Sequence, residues 1–254
     1  MSSDREIVEL FHLHFVRLLA AGREKENYVV KGGCNLRFFF GSIRYSQDLD
    51  LDVRGIPEHV LKERVEAVLG SKPLRETLAS RGIELSRVSA PNQTPTTPRW
   101  KAALRRSGRD VDLNTKIEFS RREGEGTAAL EVVDPRLVRR HQLMPILACH
   151  YLLPAAIRQK ISALVGRRTV QARDVFDLSL LFAKAGGDVE GYADMRPKVP
   201  GAIDRVWALS HAEYRGQVIA FLEPEHADPV DSTEAWETMQ LQVVSALERL
   251  GEHS

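Results

Sequence analysis

The stretch that decides the fold class is Asp48-Leu49-Asp50-Leu51-Asp52-Val53. Acidic and apolar side chains alternate here with a period of two, which is typical of a β-strand with one buried face. Because side chains two residues apart point to the same side of a strand, Asp48 and Asp50 share a face, with Cα atoms roughly 6–7 Å apart. Asp52 continues this face farther along, where we expect it to be solvated. The stretch therefore predicts a strand that presents a pair of carboxylates.

A carboxylate pair of this kind favours a bound cation. Two carboxylates held side by side repel each other and cost stability unless positive charge lies between them. Mg²⁺ fits such a position, since it takes carboxylate oxygens at about 2.0–2.1 Å and leaves coordination positions open for phosphates. The alternative is an ordinary exposed strand that binds no metal, and the Asp-x-Asp spacing alone does not separate the two.

The segment before the acid pair predicts a phosphate cradle. Residues 28–30 form a short apolar strand, and Lys31-Gly32-Gly33 follows it and opens a short helix over 34–40. Backbone N–H groups at the N-terminus of a helix bind phosphate. Gly33 lies 15 residues ahead of Asp48, close enough for glycines and carboxylates to meet. A plain strand-to-helix turn remains the alternative interpretation.

A second alternating strand, over residues 110–120, supplies a candidate third acid. One face carries polar side chains, and the other carries Val111, Leu113, Ile117 and Phe119. A strand this polar on one side lines a site or faces water. From the polar face we select Glu118 as the third carboxylate and Lys116 as a phosphate contact.

The remaining periodicity divides the chain at about residue 135. Before it, helices are predicted over 4–21 and 57–80, strands over 83–88 and 100–106, and a last strand over 130–133. After it the pattern is helical to the end, with helices expected near 136–141, 144–152, 155–165, 173–185, 202–222 and 233–250. Gly186-Gly187 and the segment around Pro197 and Pro200 separate these helices.

Composition excludes several classes of protein. The 254 residues are 43% hydrophobic and 28% charged, which allows a real core and is not typical of disorder. Cys34 and Cys149, the two cysteines, cannot build a disulfide framework or a four-cysteine zinc site. Residues 1–10 are too charged for a signal peptide, and no uncharged apolar run reaches the roughly 18 residues of a membrane span. We expect a soluble, reduced, cytoplasmic protein with no membrane partner.

The local sequence pattern also predicts the environment of three individual side chains. Cys34 lies at a predicted helix start, where the thiolate is favoured, but no base can be assigned to it. His12 and His14 flank the apolar face of the first helix, and we expect both to be exposed.

The charge distribution is uneven. The 36 Lys and Arg nearly cancel the 35 Asp and Glu, which excludes a globally basic nucleic-acid coat protein. Residues 99–173, however, hold 16 basic and 7 acidic side chains. The local excess is therefore +9 in a chain whose total is +1, and the rest sums to −8. A basic middle between acidic ends fits a protein that meets a polyanion at one face, or simply a solvated basic surface.

Four segments together resemble the AbiEii-type nucleotidyltransferases, toxin components of bacterial toxin–antitoxin and abortive-infection pairs. The first two are Lys31-Gly32-Gly33 and Arg44-Tyr45-Ser46-Gln47-Asp48-Leu49-Asp50-Leu51. The third runs from Lys116 to Glu123, and the fourth runs from Ile157 to Leu181. The sequence departs from the commoner family pattern at Cys34-Asn35, where a Thr-Ala pair is frequent.

The resemblance implies an α+β fold: a polymerase-β-like nucleotidyltransferase core with a mixed sheet in residues 1–135, and a C-terminal helical bundle in residues 136–254 that completes the site. It implies Mg²⁺ as cofactor and a nucleoside triphosphate (NTP) as substrate. The roles it carries are metal binding by Asp48 and Asp50, phosphate binding by Gly32 and Gly33, a site-lining Ser46, a triphosphate contact by Lys160, and completion of the site by Asp174 or Asp177.

The helical part also allows an interpretation of its own. Lys160 and Arg167 are seven residues apart and share one side of a helix, as do Asp174 and Asp177, three apart. These four side chains form part of a nucleotide site, or they are ion pairs that join two helices of a hairpin.

Two classes of function remain open. The first is a Mg²⁺-dependent enzyme that moves a nucleoside monophosphate from an NTP to an acceptor. In the family the acceptor can be the tRNA 3′ end. In a variant of this activity the acceptor is a protein hydroxyl, for example on a cognate antitoxin. Asp50 or Glu118 would serve as base. The second is a degenerate member that binds nucleotide or a partner and regulates; the intact Asp48, Asp50 and Lys160 argue against it.

Overall fold

The computed structural model describes residues 3–22, 24–91, 94, 96–121, 126–186 and 191–252. The chain forms two compact units. The first contains Met1–Gly41 and Tyr45–Tyr151, and the second contains Ser42–Arg44 and Leu152–Ser254. Gly187, Arg122 and Glu123, which contributed to the sequence patterns, lie outside the described residues.

The first unit combines helices and strands. In chain order its described elements are α1 (Asp4–Leu19), β1 (Tyr28–Lys31), α2 (Gly32–Phe39), β2 (Leu49–Val53), α3 (Glu58–Gly70), α4 (Lys72–Ala79), β3 (Ile83–Ser89), β4 (Arg99–Arg106), β5 (Asp112–Ser120), β6 (Ala128–Val132), α5 (Pro135–Arg140) and β7 (Leu147–Tyr151).

The seven strands form one mixed sheet in the order β3-β4-β5-β2-β1-β7-β6. Strand β2 pairs antiparallel with β1 and parallel with β5, so the strand with the acid pair lies at the centre. Alternate residues of β5, among them Ile117 and Phe119, are fully buried. They share one hydrophobic core with apolar side chains of α1, α3 and α4. The opposite face of β5 carries Lys116 and Glu118, so the predicted alternation is confirmed over Asp112–Ser120. The strand begins two residues later than predicted, and Val111, expected on the apolar face, lies before it and is exposed.

Strand β7 corrects the sequence prediction. We expected a helix over 144–152 and a last strand at 130–133, but Leu147–Tyr151 is a further strand, parallel to β1, with Cys149 opposite Val29. The period of a short, mostly buried apolar run does not distinguish a helix from a strand, and parallel strands read as continuous apolar runs. The sheet-bearing unit therefore extends to Tyr151 rather than ending at residue 135.

Two long predicted helices are each interrupted by a capping serine. The helix expected over 57–80 is divided into α3 and α4, because the Ser71 hydroxyl accepts a hydrogen bond from the Leu74 amide and starts a new helix. The helix expected over 202–222 is likewise divided, because Ser210 forms a capping box with Glu213. Both serines are typical N-cap residues.

The second unit is helical, as predicted. Its described helices are α6 (Leu153–Gly166), α7 (Ala172–Lys184), α8 (Val199–Trp207), α9 (His211–Gln217), α10 (Pro224–Ala227) and α11 (Thr233–Glu252). Pro197 lies in a short 3₁₀ helix, and Pro200 lies in the first turn of α8. In the part of the chain that is described, no helix has both the length and the apolar composition to cross a membrane. Both units together give the expected α+β class.

Candidate functional site

The acid pair lies at the start of the central strand. Asp48 directly precedes β2, which begins one residue later than predicted, and Asp50 is the second residue of the strand. In the sheet register Asp50 lies opposite Lys31 of β1 on one side and opposite Glu118 of β5 on the other. The Asp48 carboxylate accepts a hydrogen bond of 3.1 Å from the Lys116 amide of β5. The structure therefore brings Asp48, Asp50, Lys116 and Glu118 together.

Asp50 has an unusual electrostatic environment. Burial raises its pKa, and the neighbouring Asp48 carboxylate raises it further, while Lys116 acts in the opposite direction. Gly32, the first residue of α2, lies directly against this side chain: a Cβ atom built on it would come within 3.0 Å of Asp50 Oδ2. A pair of acids in which one is buried and repelled by the other is a donor set that a divalent cation would stabilise. The residues present therefore fit a metal ion.

Lys116 links two of the carboxylates. Its Nζ lies 3.4 Å from Asp48 Oδ2 and 3.3 Å from Glu118 Oε2. Although burial lowers the pKa of Lys116, the Asp48 and Glu118 carboxylates outweigh burial and raise it. Arg99 of β4 approaches Glu118 from the other side, at 3.4 Å. The Glu118 carboxylate thus lies between two cationic side chains and opposite Asp50 in the sheet register.

The N-terminus of α2 supplies backbone donors beside Asp50. The helix follows β1 without a loop and starts at Gly32, whose φ of +64° favours glycine. The side chain of the N-cap residue, Lys31, forms no capping hydrogen bond, and the first-turn N–H groups of a helix have no partner within the helix and can bind an anion. The prediction that Gly32-Gly33 opens a helix is confirmed.

Lys31 and Asp52 form a separate contact. The Lys31 ammonium lies 2.5 Å from Asp52 Oδ1, and the Tyr151 hydroxyl donates to Asp52 Oδ2 over 2.5 Å. The expectation that Asp52 is solvated is wrong, since only 5% of the residue is exposed. Tyr151 belongs to β7, the strand that the sequence did not reveal. A phosphate contact by Lys31 stays a prediction.

Hydrogen bonds to main-chain carbonyls fix the segment that leads into the acid pair. The Ser46 hydroxyl donates to the Asp48 carbonyl over 2.8 Å, so this side chain holds the backbone beside the pair. Cys34 Sγ approaches the same carbonyl at 3.3 Å. The Thr115 hydroxyl donates to the Gln47 carbonyl over 2.8 Å.

The expectations for Cys34, His12 and His14 are wrong. All three residues are buried. Burial raises the pKa of the Cys34 thiol, which therefore stays protonated, and burial lowers the pKa of His12 to about 3. The physical reason is that the Cys34 side chain is buried, so the loss of solvation outweighs the effect of the helix terminus.

Two residues of this region were missed, Thr115 and His12. His12 Nε2 lies 2.7 Å from Thr115 Oγ1. Thr115 is polar yet lies on the buried side of a strictly alternating strand, and His12 is polar within an apolar helix. A polar side chain at a position that the periodicity assigns to the core was the signal that could have identified both.

The second unit contains its own ion cluster. Lys160 of α6 contacts two fully buried carboxylates of α7, Asp174 at 3.1 Å and Asp177 at 2.6 Å. Arg167 contacts Asp174 at 2.8 Å, and Arg44 contacts Asp177 at 3.0 Å. Burial raises the pKa of Asp177, but the positive charges of Arg44 and Lys160 outweigh burial, so the pKa is lowered. The ion pairs that join two helices, one of the two interpretations above, are present.

Comparisons with known proteins show the family and the fold of the chain. The family model described as nucleotidyl transferase AbiEii toxin, type IV toxin–antitoxin system, matches residues 15–250. A search of curated protein sequences returns no match.

Three solved structures share the fold. JHP933 from Helicobacter pylori is 18% identical with a TM-score of 0.65, and covers 99% of this chain and 94% of its own. A structure titled as a nucleotidyltransferase from H. pylori is 18% identical with a TM-score of 0.62, over 100% of both chains. The nucleotidyltransferase toxin MenT4 from Mycobacterium tuberculosis H37Rv is 17% identical with a TM-score of 0.61, over 100% of this chain and 87% of its own. Since the family model spans nearly all of the sequence, the chain belongs to the AbiEii nucleotidyl transferase toxin family.

Proposed function

We propose that this nucleotidyltransferase moves a nucleoside monophosphate from an NTP to the 3′ end of a tRNA, with Mg²⁺ held by Asp48 and Asp50. Blocking that end would stop aminoacylation. The observation that carries the proposal is the close approach of the half-buried Asp50 side chain to Gly32 at the N-terminus of α2. A metal-binding acid would then lie beside a row of phosphate-binding amides. The substrates imply action in the cytoplasm.

The metal ion would supply charge neutralisation of the triphosphate and alignment of the attacking and leaving oxygens. Asp48 and Asp50 would hold it. The amides of Gly32 and Gly33 would bind phosphate oxygens. Lys116 holds the Asp48 carboxylate from the β5 side and adds positive charge at the phosphates.

The acceptor hydroxyl must lose its proton as it attacks phosphorus. Asp50 and Glu118 are the candidate bases, and they lie opposite each other in the β2–β5 register. Glu118 is neutralised by Lys116 and Arg99, whereas the pKa of Asp50 is raised. Because Asp50 would also hold the metal ion, and a bound cation lowers the proton affinity of a carboxylate, both Asp50 and Glu118 stay candidates for proton acceptance.

Lys160 keeps its proposed role as a triphosphate ligand. Within the second unit its ammonium is bonded to Asp174 and Asp177. Because both carboxylates are fully buried and engaged by cations, we assign Asp174, Asp177 and Arg167 to holding the Lys160 side chain in one position, rather than to direct contact with the nucleotide.

A cationic position on the sheet face of Asp50 supports a polyanionic acceptor. Lys101 of β4 lies directly opposite Lys116 in the antiparallel register. It is exposed, and no ion-pair partner is found for it among the described residues. A nucleic-acid phosphate would supply a partner charge for Lys101, and Lys and Arg contacts to phosphates supply most sequence-independent affinity for RNA.

The experiment that tests the proposal is incubation of the protein with each α-³²P-labelled NTP, Mg²⁺ and total tRNA. We expect label in tRNA with wild type, none with Asp48→Asn, and normal transfer with Asp112→Asn, which removes a carboxylate at the far end of the same β5 face. Label on protein would identify a protein hydroxyl as acceptor. Nucleotide binding without transfer would support the regulatory alternative. Family membership also implies an antitoxin partner. A separate reaction would contain this antitoxin.

A further inference from the structure

The backbone that carries Asp48 lies outside the β-ladder. The last residue pair between β2 and β5 is Leu49 with Ile117, and Ser46–Asp48 belong to no strand. From the buried side chains beneath this segment we propose that Thr115 and His12 are positioning residues, which aim the Asp48 carboxylate at the metal. The inference rests on the proposed function, because Asp48 is taken as a metal ligand.

Strand β5 also forms hydrogen bonds with the segment that precedes β2, beyond the last residue pair of the two strands. The Thr115 hydroxyl donates to the Gln47 carbonyl over 2.8 Å, and the next residue, Lys116, donates its amide to Asp48 Oδ1 over 3.1 Å. One bond fixes the peptide before Asp48, and the other fixes the carboxylate itself. Thr115 is 4% exposed, so water does not substitute for its hydroxyl.

His12 of α1 determines where the Thr115 proton points. Because the single hydroxyl proton of Thr115 is given to Gln47, Thr115 Oγ1 must accept from His12 Nε2, 2.7 Å away. His12 therefore carries its proton on Nε2, which leaves Nδ1 as an acceptor. Burial lowers the pKa of His12 to about 3, which favours this neutral form near neutral pH.

Cys34 completes the arrangement. Its Sγ lies 3.7 Å from His12 Nδ1 and 3.3 Å from the Asp48 carbonyl. The Cys34 thiol donates to the Asp48 carbonyl. Residues of α1, α2 and β5 thus converge on two consecutive peptide groups. Such outer partners of metal ligands typically contribute 10–100-fold to metal affinity or activity.

The test compares Thr115→Val, which keeps the shape but removes the hydroxyl, with Thr115→Ser, which restores it. Thr77→Val is the matched control, because the Thr77 hydroxyl also donates to a main-chain carbonyl, that of Pro73, elsewhere in the same unit. Mn²⁺ affinity is measured by electron paramagnetic resonance, and the melting temperature is measured beside it. We expect Thr115→Val to weaken Mn²⁺ binding by about tenfold or more, Thr115→Ser to restore it, and Thr77→Val to leave it unchanged.

His12 provides a second pair of variants. His12→Gln retains an N–H donor for Thr115, whereas His12→Leu retains only bulk. We expect Mn²⁺ affinity near that of wild type for His12→Gln and a loss for His12→Leu. This pair gives an independent result if Thr115→Val does not fold.

The outcomes separate this inference from the function on which it rests. Equal Mn²⁺ affinities of wild type, Thr115→Val and His12→Leu would overturn the positioning role. A wild-type protein that binds Mn²⁺ with the expected dependence on Thr115, yet transfers no nucleotide, would leave the positioning role intact and contradict the proposed function alone.

Discussion

Gly32 and Asp50 are in direct contact: a Cβ at residue 32 would come within 3.0 Å of Asp50 Oδ2. Gly32 also has a φ of +64°, which L side chains rarely adopt. The contact joins the start of α2 to the second residue of β2. It accounts for two separate motifs of the sequence, the glycine pair and the acid pair, as parts of one site.

We expect Gly32→Ala to abolish nucleotidyl transfer. The substitution costs roughly 1–2 kcal/mol for a left-handed residue and in addition displaces the Asp50 carboxylate. Gly55→Ala is the matched control, because Gly55 has the same φ of +64° and a Cβ added there would meet no atom within 4 Å. Urea denaturation and transfer assays should show comparable instability in both variants but loss of activity only in Gly32→Ala. Equal activities would argue against the contact.

Asp50→Asn should raise the melting temperature at pH 7 while it removes activity. Burial and the Asp48 charge raise the pKa of Asp50, so the folded protein binds this proton more tightly than the unfolded chain does. Ionisation therefore weakens folding as pH rises from the ordinary Asp pKa of about 4 through the raised value, and below that range the effect vanishes.

Thermal scans of wild type and Asp50→Asn between pH 4 and pH 8 measure this difference. The melting temperature of Asp50→Asn should exceed that of wild type by an amount that grows with pH. Added Mg²⁺ should stabilise wild type, since it binds the folded state, and should have little effect on Asp50→Asn. A lower melting temperature for Asp50→Asn throughout would show that Asp50 is structural.

Asp177→Asn should destabilise the protein by about 3–5 kcal/mol, the cost of breaking a buried ion pair. The substitution leaves the charges of Arg44 and Lys160 poorly compensated in a buried environment. Because the pKa of Asp177 is lowered, its stabilising effect is present above the unfolded Asp pKa and is lost as pH falls through the folded value. Denaturant titration measures the change, with Asp194→Asn, at an ion pair whose Asp194 side chain is 52% exposed, as the control.

Lys101→Gln should weaken binding of tRNA and reduce its salt dependence. Each phosphate contact contributes about 0.9 to the slope of log affinity against log salt concentration for duplex nucleic acid and about 0.7 for single strands. Lys72→Gln removes an exposed lysine of α4 and should leave the slope unchanged. Filter binding over a series of salt concentrations measures both, and identical slopes for the two variants would place the acceptor elsewhere.

The sequence revealed the parts of the site that depend on local pattern. Asp48 and Asp50 stand out through a period of two, and the polar face of β5 brought Glu118 and Lys116 to attention in the same way. Their meeting required the parallel pairing of β2 with β5, which no local pattern in the sequence predicted.

What the sequence did not reveal depends on long-range packing. A buried run such as Leu147–Tyr151 has no period that identifies a strand, so the partner of β1 and the hydroxyl of Tyr151 were missed together. The role of Thr115 depends on its hydrogen bond to the Gln47 carbonyl, which is 68 residues away in sequence. Arg44, quoted as part of a motif, proves to be a partner of Asp177.

A crystal structure with Mn²⁺ and a non-hydrolysable NTP, in which anomalous scattering locates the metal, would show whether Asp48 and Asp50 bind it. We expect a peak bonded to the Asp48 and Asp50 carboxylates, with the phosphates at the Gly32 and Gly33 amides. The described residues offer one other set of possible ligands, Glu223, Glu225 and His226. A peak there, with none at the acid pair, would contradict the account.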